Sequence, residues 1–314
     1  MRNTKKKLKE KQVDRIYLLT GTEPYLISDM KKLFFQTICD GNKINFVSYT
    51  DPALMPKGKD LCRECCNTPF FGKYRLIMID ECMKADDDFI NFIPSIPETT
   101  VIVIVDTSVD KRSKLYKAIQ KNGTICNCIP LETQEIREWI AKKTKKLGAE
   151  ITAADAEYLM DYVGTDMNCL LKEIQKLVIS GEAINKKSIS KYCYPSIENK
   201  IFQMIENAIS GNTEIAMKQY EDLILLQESP FKILTLIVRQ LRIIMLVNAM
   251  SELKNEEIAL KVGIPVFAVK KAKNKPLPCD QARIMLEKGL DYLEQIKAGY
   301  IKDSLACDLL LCQL

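Results

Sequence analysis

The sequence of 314 residues contains no histidine. Imidazole is the side chain most used for proton transfer near neutral pH and the commonest metal ligand. A Ser-His-Asp or Cys-His mechanism therefore cannot be assembled. Glycine is scarce as well, at 12 residues, roughly half the usual ~7%, which argues against long phosphate-cradling loops. No apolar run approaches the ~20 residues of a membrane span; Ile243 to Met250 is among the longest. The basic start runs into Ile16-Tyr17-Leu18-Leu19-Thr20-Gly21, too short for the core of a secretory signal. Twelve cysteines in such a chain read as reduced thiols in a cytoplasmic protein.

What is present is a globular composition, 47% hydrophobic and 28% charged, with length for two or three domains. Lys and Arg number 46 against 41 Asp and Glu, a net +5. Residues 1–15 alone hold seven basic and two acidic side chains, so the remaining 299 residues carry 39 of each sign. The excess belongs to a short leader, expected to be flexible or weakly docked. A protein that coats nucleic acid over a whole face carries a net basic body, and this one does not.

Residues 16–131 read as α/β. Strand candidates are 16–19, 44–49, 75–79, 100–105 and 124–129, with helices at 24–38 and 113–120 and a partly looped segment at 54–67. Continuous apolar strands alternating with helices imply a parallel sheet covered on both faces. After Pro130 the period is helical throughout. Residues 132–199 read as a small helical domain, and Thr152 with Asp155 three residues on has the form of an N-cap box. Residues 200–314 read as longer helices, the last running from Cys279 to the C-terminus.

Four motifs bear on chemistry. Arg75 to Glu81 has the form of a Walker B strand, an apolar run followed by Asp80-Glu81. Its partner, a P-loop, needs small residues, a Lys and a Ser/Thr. The loop after the first strand reads Thr20-Gly21-Thr22-Glu23-Pro24 instead, with an acid that repels phosphate and a proline without a donor. Cys62-x-x-Cys65-Cys66 is half of a zinc site, without a well-spaced second half; small apolar cysteines in a core fit better, and no metal is expected. Phe70-Phe71 lies in a loop between Pro69 and Gly72. The pattern alone favours both rings in the core; the alternative is an aromatic anchor for a partner's pocket. Finally, Glu256 to Ala272 is shaped like a helix-turn-helix. Between Ile258 and Cys279 it offers five lysines, Lys270, Lys271 and Lys273 among them, and no acid. It lacks the Asn, Gln or Arg that would read base edges, so non-specific phosphate contact is the DNA reading.

Taken in chain order, several segments resemble the delta-subunit family of the bacterial DNA polymerase III clamp loader. They are Ile16-Tyr17-Leu18-Leu19-x-Gly21-x-Glu23-Pro24-Tyr25-Leu26, Pro69-Phe70-Phe71-Gly72-x-x-Arg75-Leu76, Asp110 to Lys117, Glu138-Trp139-Ile140 to Gly148, Gly164-x-Asp166 with Leu170 to Leu177, Arg239-Gln240-Leu241-Arg242, and Ile296-Lys297-x-Gly299. The resemblance implies an AAA+-like α/β domain without a functional P-loop, a helical lid (132–199) and an all-α collar (200–314). It implies no cofactor on this chain, ATP being bound by partner subunits (gamma/tau and delta prime), and no catalytic residue. It implies that Phe70 and Phe71, with Pro69, enter a pocket on the sliding clamp (beta) and open the ring. Asp80-Glu81 is then a relic. Leu234, Ile237, Leu241 and Ile244 fall to collar packing, and Tyr300, Lys270, Lys271 and Lys273 to the neighbourhood of primer–template DNA. Two other readings stay open: an ATP-hydrolysing AAA+ protein, and a DNA-binding regulator using residues 256–272.

Overall fold

The computed structural model describes all residues except 1, 11, 81–85, 265 and 274–276, and the side chains of all of these except 2, 3, 9, 267 and 271. Two compact units emerge, residues 1–131 and 132–314.

In the first unit the apolar runs become strands β1 (Ile16–Thr20), β2 (Phe46–Tyr49), β3 (Arg75–Asp80), β4 (Thr100–Val105) and β5 (Thr124–Asn127). All pair in parallel, in the order β2-β3-β4-β1-β5. The central strands β1 and β4 are buried along their whole length, as expected for strands covered on both faces. Alternation divides their side chains between two layers. Ile16, Leu18, Ile102 and Ile104 pack with Leu61, Phe89, Leu115 and Ile119. These come from α3 (Gly58–Cys66), α4 (Asp87–Phe92) and α5 (Lys114–Asn122). On the other face Tyr17 meets Phe34 of α2 (Pro24–Ile38), ring centroids 4.6 Å apart.

The leader departs from expectation. Residues Arg2–Lys9 form helix α1, and this helix is docked. Leu8 is fully buried, Thr4 is buried, and the Cys126 thiol donates to Thr4 Oγ1 at 3.4 Å. Lys5 pairs with Asp29 of α2 at 2.5 Å, a half-exposed bridge of little energetic weight. Burial of Leu8 holds the helix more strongly than this bridge does. Replacing Leu8 with alanine is expected to cost about 2–3 kcal/mol, near the low end for buried leucines, read from urea unfolding of the chain. An unchanged midpoint would return the leader to the flexible class.

The second unit is all helix. It begins with α6 (Thr133–Lys146), α7 (Ala153–Val163), α8 (Met167–Ile179) and α9 (Lys186–Tyr192). Of the Thr152 box, the cap forms: its hydroxyl accepts from the Asp155 N–H at 3.1 Å and donates to the Asp155 carboxylate at 2.6 Å. There follow α10 (Ile197–Ile209), α11 (Thr213–Leu225), α12 (Pro230–Ala249), α13 (Asn255–Val262), α14 (Val266–Lys273), α15 (Cys279–Lys297) and α16 (Asp303–Gln313). The helix expected from Cys279 to the C-terminus is thus two, broken where Gly299 takes a left-handed φ of 77°. Helix α12 is the axis of this core, with α15, α16 and α14 around it. Among the described residues no helix is long and apolar enough to cross a membrane.

Candidate functional site

Phe70 and Phe71 do not enter the core. They are 77% and 65% exposed, against the expectation from pattern alone, and stack edge to face at 4.8 Å. The loop that carries them is held at both stems. Glu64, near the end of α3, accepts from the guanidinium of Arg75 at the start of β3 and from Asn67 Nδ2 at 2.9 Å. Helix α3 stops at Asn67, whose extended backbone and following Thr68-Pro69 carry the chain away. Pro69 is half-buried, and Gly72 supplies the positive φ (78°) that turns the chain back into β3. At the tip, Asn45 reaches across from the residue before β2. Its Oδ1 accepts from the Phe70 N–H at 2.7 Å and its Nδ2 donates to the Phe71 carbonyl. Two large rings held in water are rare on a surface without a partner. The pair is visible in the sequence as a motif; Asn45, 25 residues upstream, carries no local signal of its role.

At the C-terminal edge of the sheet, beside the β4-β1-β5 switch point where nucleotides bind in open α/β sheets, the residues do not suit one. Glu23 caps α2, its carboxylate accepting from the Tyr25 N–H at 3.2 Å. A negative charge thus already sits where a phosphate would meet the helix dipole. Lys31, on the second turn of α2, pairs with Asp80 of the Walker-B-like strand. Lys31 and Asp80 line a cavity of about 730 Å³ with Gly21, Thr22, Ile27 and Thr107. Glu81 lies outside the described residues. An acid thus stands at the helix start, and the nearby lysine is already paired with a carboxylate.

In the helical unit, Leu234, Ile237, Leu241 and Ile244 are buried in the unit's own core. They pack the domain from within and do not face a second subunit. Gly263, in the left-handed region at φ 73°, ends α13 as the helix-turn-helix pattern requires. The segment's apolar face, Ile258, Ala259, Val269 and Ala272, is consumed by the same core. Lys270 is exposed, whereas Lys273 donates to the carbonyls of Ser251 (3.1 Å) and Leu253 (3.2 Å). Lys273 is therefore bound to the turn after α12 rather than held free for phosphate. The Lys271 side chain lies outside the described residues. Tyr300, 84% exposed, sits in the α15–α16 turn.

The eleven described cysteines are all free. Cys65 is buried against the sheet, Cys62 half-buried and Cys66 exposed, so the three point to different environments. Among the described residues no three His, Cys, Asp or Glu side chains converge on a metal position. Burial pushes the thiols of Cys65, Cys193 and Cys307 up to about 12 from the ordinary 9.0. The thiolate is the nucleophile, so at pH 8 these groups should resist iodoacetamide while Cys66, Cys279 and Cys312, all exposed, react. The folded chain holds those protons to higher pH than the unfolded one. Its stability should therefore be unaffected below about pH 9 and fall as pH rises toward 12. Rapid labelling of Cys65 in the folded chain would contradict its placement.

A parallel five-stranded sheet in this order, with helices following, defines the class: an AAA+-like chain. Known proteins narrow it. The family model for the DNA polymerase III delta subunit matches residues 17–129, and that for the delta subunit's C-terminal domain matches 198–314. The DNA polymerase III subunit delta of Bacillus subtilis (strain 168) is 26% identical, over 98% of this chain and 95% of its own. A probable DNA polymerase III subunit delta of Aquifex aeolicus (strain VF5) is 21% identical, over 71% of this chain and 68% of its own. In fold, the chain is similar to the Bacillus subtilis DNA clamp loader delta protein, with a TM-score of 0.61, 23% identity, and 99% and 98% of the two chains covered. The chain belongs to the delta-subunit family of the DNA polymerase III clamp loader.

Proposed function

We propose that this chain binds the sliding clamp and opens its ring, so that the loader can place it on primed DNA. The observation that carries the reading is the phenylalanine pair: two adjacent rings kept in solvent by a loop tied at its stems and tip. Burying them in an apolar pocket yields about 1.5–3 kcal/mol each. Binding that favours an open interface of the ring over the closed one shifts the clamp toward the open form without any chemistry on this chain. The chain works without a catalytic residue of its own. ATP is bound by the partner subunits gamma/tau and delta prime, whose state sets how far this surface is available; such couplings are typically about 1–3 kcal/mol. Glu23 and the Lys31–Asp80 pair support this division of labour, since they occupy the charges a nucleotide would need. Residues 200–314 join the partner subunits, and primer–template DNA passes near Tyr300 and Lys270. The loader acts in the bacterial cytoplasm.

The test mixes the purified chain with the sliding clamp of its own organism. Complex formation is followed by size exclusion, and ring opening by a fluorophore pair across the clamp's subunit interface. A complex with loss of energy transfer is the expected result. No complex in the presence or absence of the partner subunits would overturn the reading.

A further inference from the structure

We infer that Asn45 is a positioning residue for the partner-binding loop, holding Phe70 and Phe71 in the outward arrangement that the clamp receives; this rests on the clamp-binding reading above. Three observations carry it. First, Asn45 is placed by the sheet. Its carbonyl accepts from the Leu76 N–H at 2.8 Å, immediately before the Phe46–Leu76 register of the β2–β3 pair. Second, its amide grips the Phe70–Phe71 unit from both sides, accepting from the Phe70 N–H at 2.7 Å and donating to the Phe71 carbonyl. A carboxamide is the short side chain that can do both at once. Third, the rings themselves are largely exposed and touch each other edge to face. An untied loop would let the apolar pair fold back toward the sheet edge or sample many orientations. Ordering it would then be charged to binding, and preorganisation removes that cost. Among the described residues its side-chain hydrogen bonds go to the loop it positions, and it is itself half-exposed.

The experiment compares clamp affinity of the full chain carrying Asn45→Ala, Asn45→Asp, or Phe70→Ala/Phe71→Ala with that of the native chain. Urea unfolding and amide hydrogen exchange at Phe70 are measured in parallel. Asn45→Ala is expected to weaken clamp binding about 10-fold, the scale of one or two lost hydrogen bonds. Phe70 exchange should speed up in the free chain while global unfolding remains a single transition. Asn45→Asp keeps the acceptor for the Phe70 N–H and loses the donor, so it should recover part of the affinity and part of the exchange protection. A purely structural residue would not give that graded recovery. If Asn45→Ala fails to fold, the aspartate variant decides by the same two readouts. Native affinity in the Asn45 variants, with binding lost in the double phenylalanine variant, overturns the positioning role and leaves the clamp reading standing. Native affinity in the double phenylalanine variant removes the clamp reading and this inference with it.

Discussion

Phe70→Ala/Phe71→Ala is expected to lower affinity for the sliding clamp by at least ~100-fold. Each ring is worth about 1.5–3 kcal/mol on burial, and every 1.4 kcal/mol is tenfold in affinity. The pair could thus account for between about 10² and 10⁴ in the dissociation constant. The single variants should each fall short of half that effect, or exceed it, because the rings touch at 4.8 Å and neighbours do not add. Stability should hardly move. Both rings are exposed, and surface substitutions away from special backbone positions stay within about 0.5 kcal/mol. The two measurements together, clamp titration and urea unfolding, separate a contact residue from a core residue. Unchanged clamp binding would end the assignment. A collapse of stability would mean that the rings pack inward in solution.

That outcome matters because hydropathy argues the other way at this position. Periodicity reads the sheet well: β4 is an uninterrupted β-branched run, β1 is apolar throughout but for its last residue, and nothing but a doubly covered strand absorbs Val101 to Val105. Helix α2 is legible to its ends, since Pro24 can only start a helix and the apolar period fails after Ile38. Two helices are not. Helix α1 reads as a charged leader because, among its described side chains, those buried are Thr4 and Leu8, too few to show a period amid lysines. Helix α4 begins in the acidic run Asp86-Asp87-Asp88, where Asp86 turns out to be the cap, accepting from the Phe89 N–H at 2.8 Å. The phenylalanine pair shows the third kind of failure. Hydropathy states what a side chain would gain from burial, not whether the backbone allows it. Here Asn45, Glu64 and Gly72 decide the matter, and two of these act from outside the loop.

The same limit governs the helical unit. Leu234, Ile237, Leu241 and Ile244 are apolar at helical spacing, which a core and an interface share. Only the packing of α15 and α16 over α12 assigns them inward. Leu225 and Leu226, apolar as well, stay exposed at the end of α11.

Gly21→Ala should cost about 3 kcal/mol or more in stability and leave any nucleotide affinity of the chain untouched. In a phosphate loop a glycine lets the backbone approach the ligand. Here it lets β1 approach β5. A Cβ on Gly21 would lie 2.3 Å from the Cys128 carbonyl oxygen and 2.6 Å from its carbon, both backbone atoms that cannot yield. The neighbouring hydrogen bonds show why the approach is fixed. The Cys128 N–H donates to Thr20 O at 2.6 Å, and the Glu23 N–H donates to Cys128 O at 2.9 Å, on either side of Gly21. The φ of 125° adds conformational strain of about 1–3 kcal/mol for any L-residue, and the clash adds about 1–3 kcal/mol as overpacking does in a core. Gly72→Ala is the control. It has a φ of 78° but nothing within 4 Å of its Cβ position, so it should lose only about 1 kcal/mol through backbone conformation. Urea unfolding of the two variants beside the native chain measures the difference, and titration with ATP measures the other arm. Equal stability of the two variants would show that β1 and β5 separate easily at this edge. A loss of ATP binding on Gly21→Ala, with stability intact, would show that the loop still serves a nucleotide. The expected result, a large loss of stability and no nucleotide effect, makes Gly21 a seam in the sheet, at the position where an active ATPase would keep its phosphate loop.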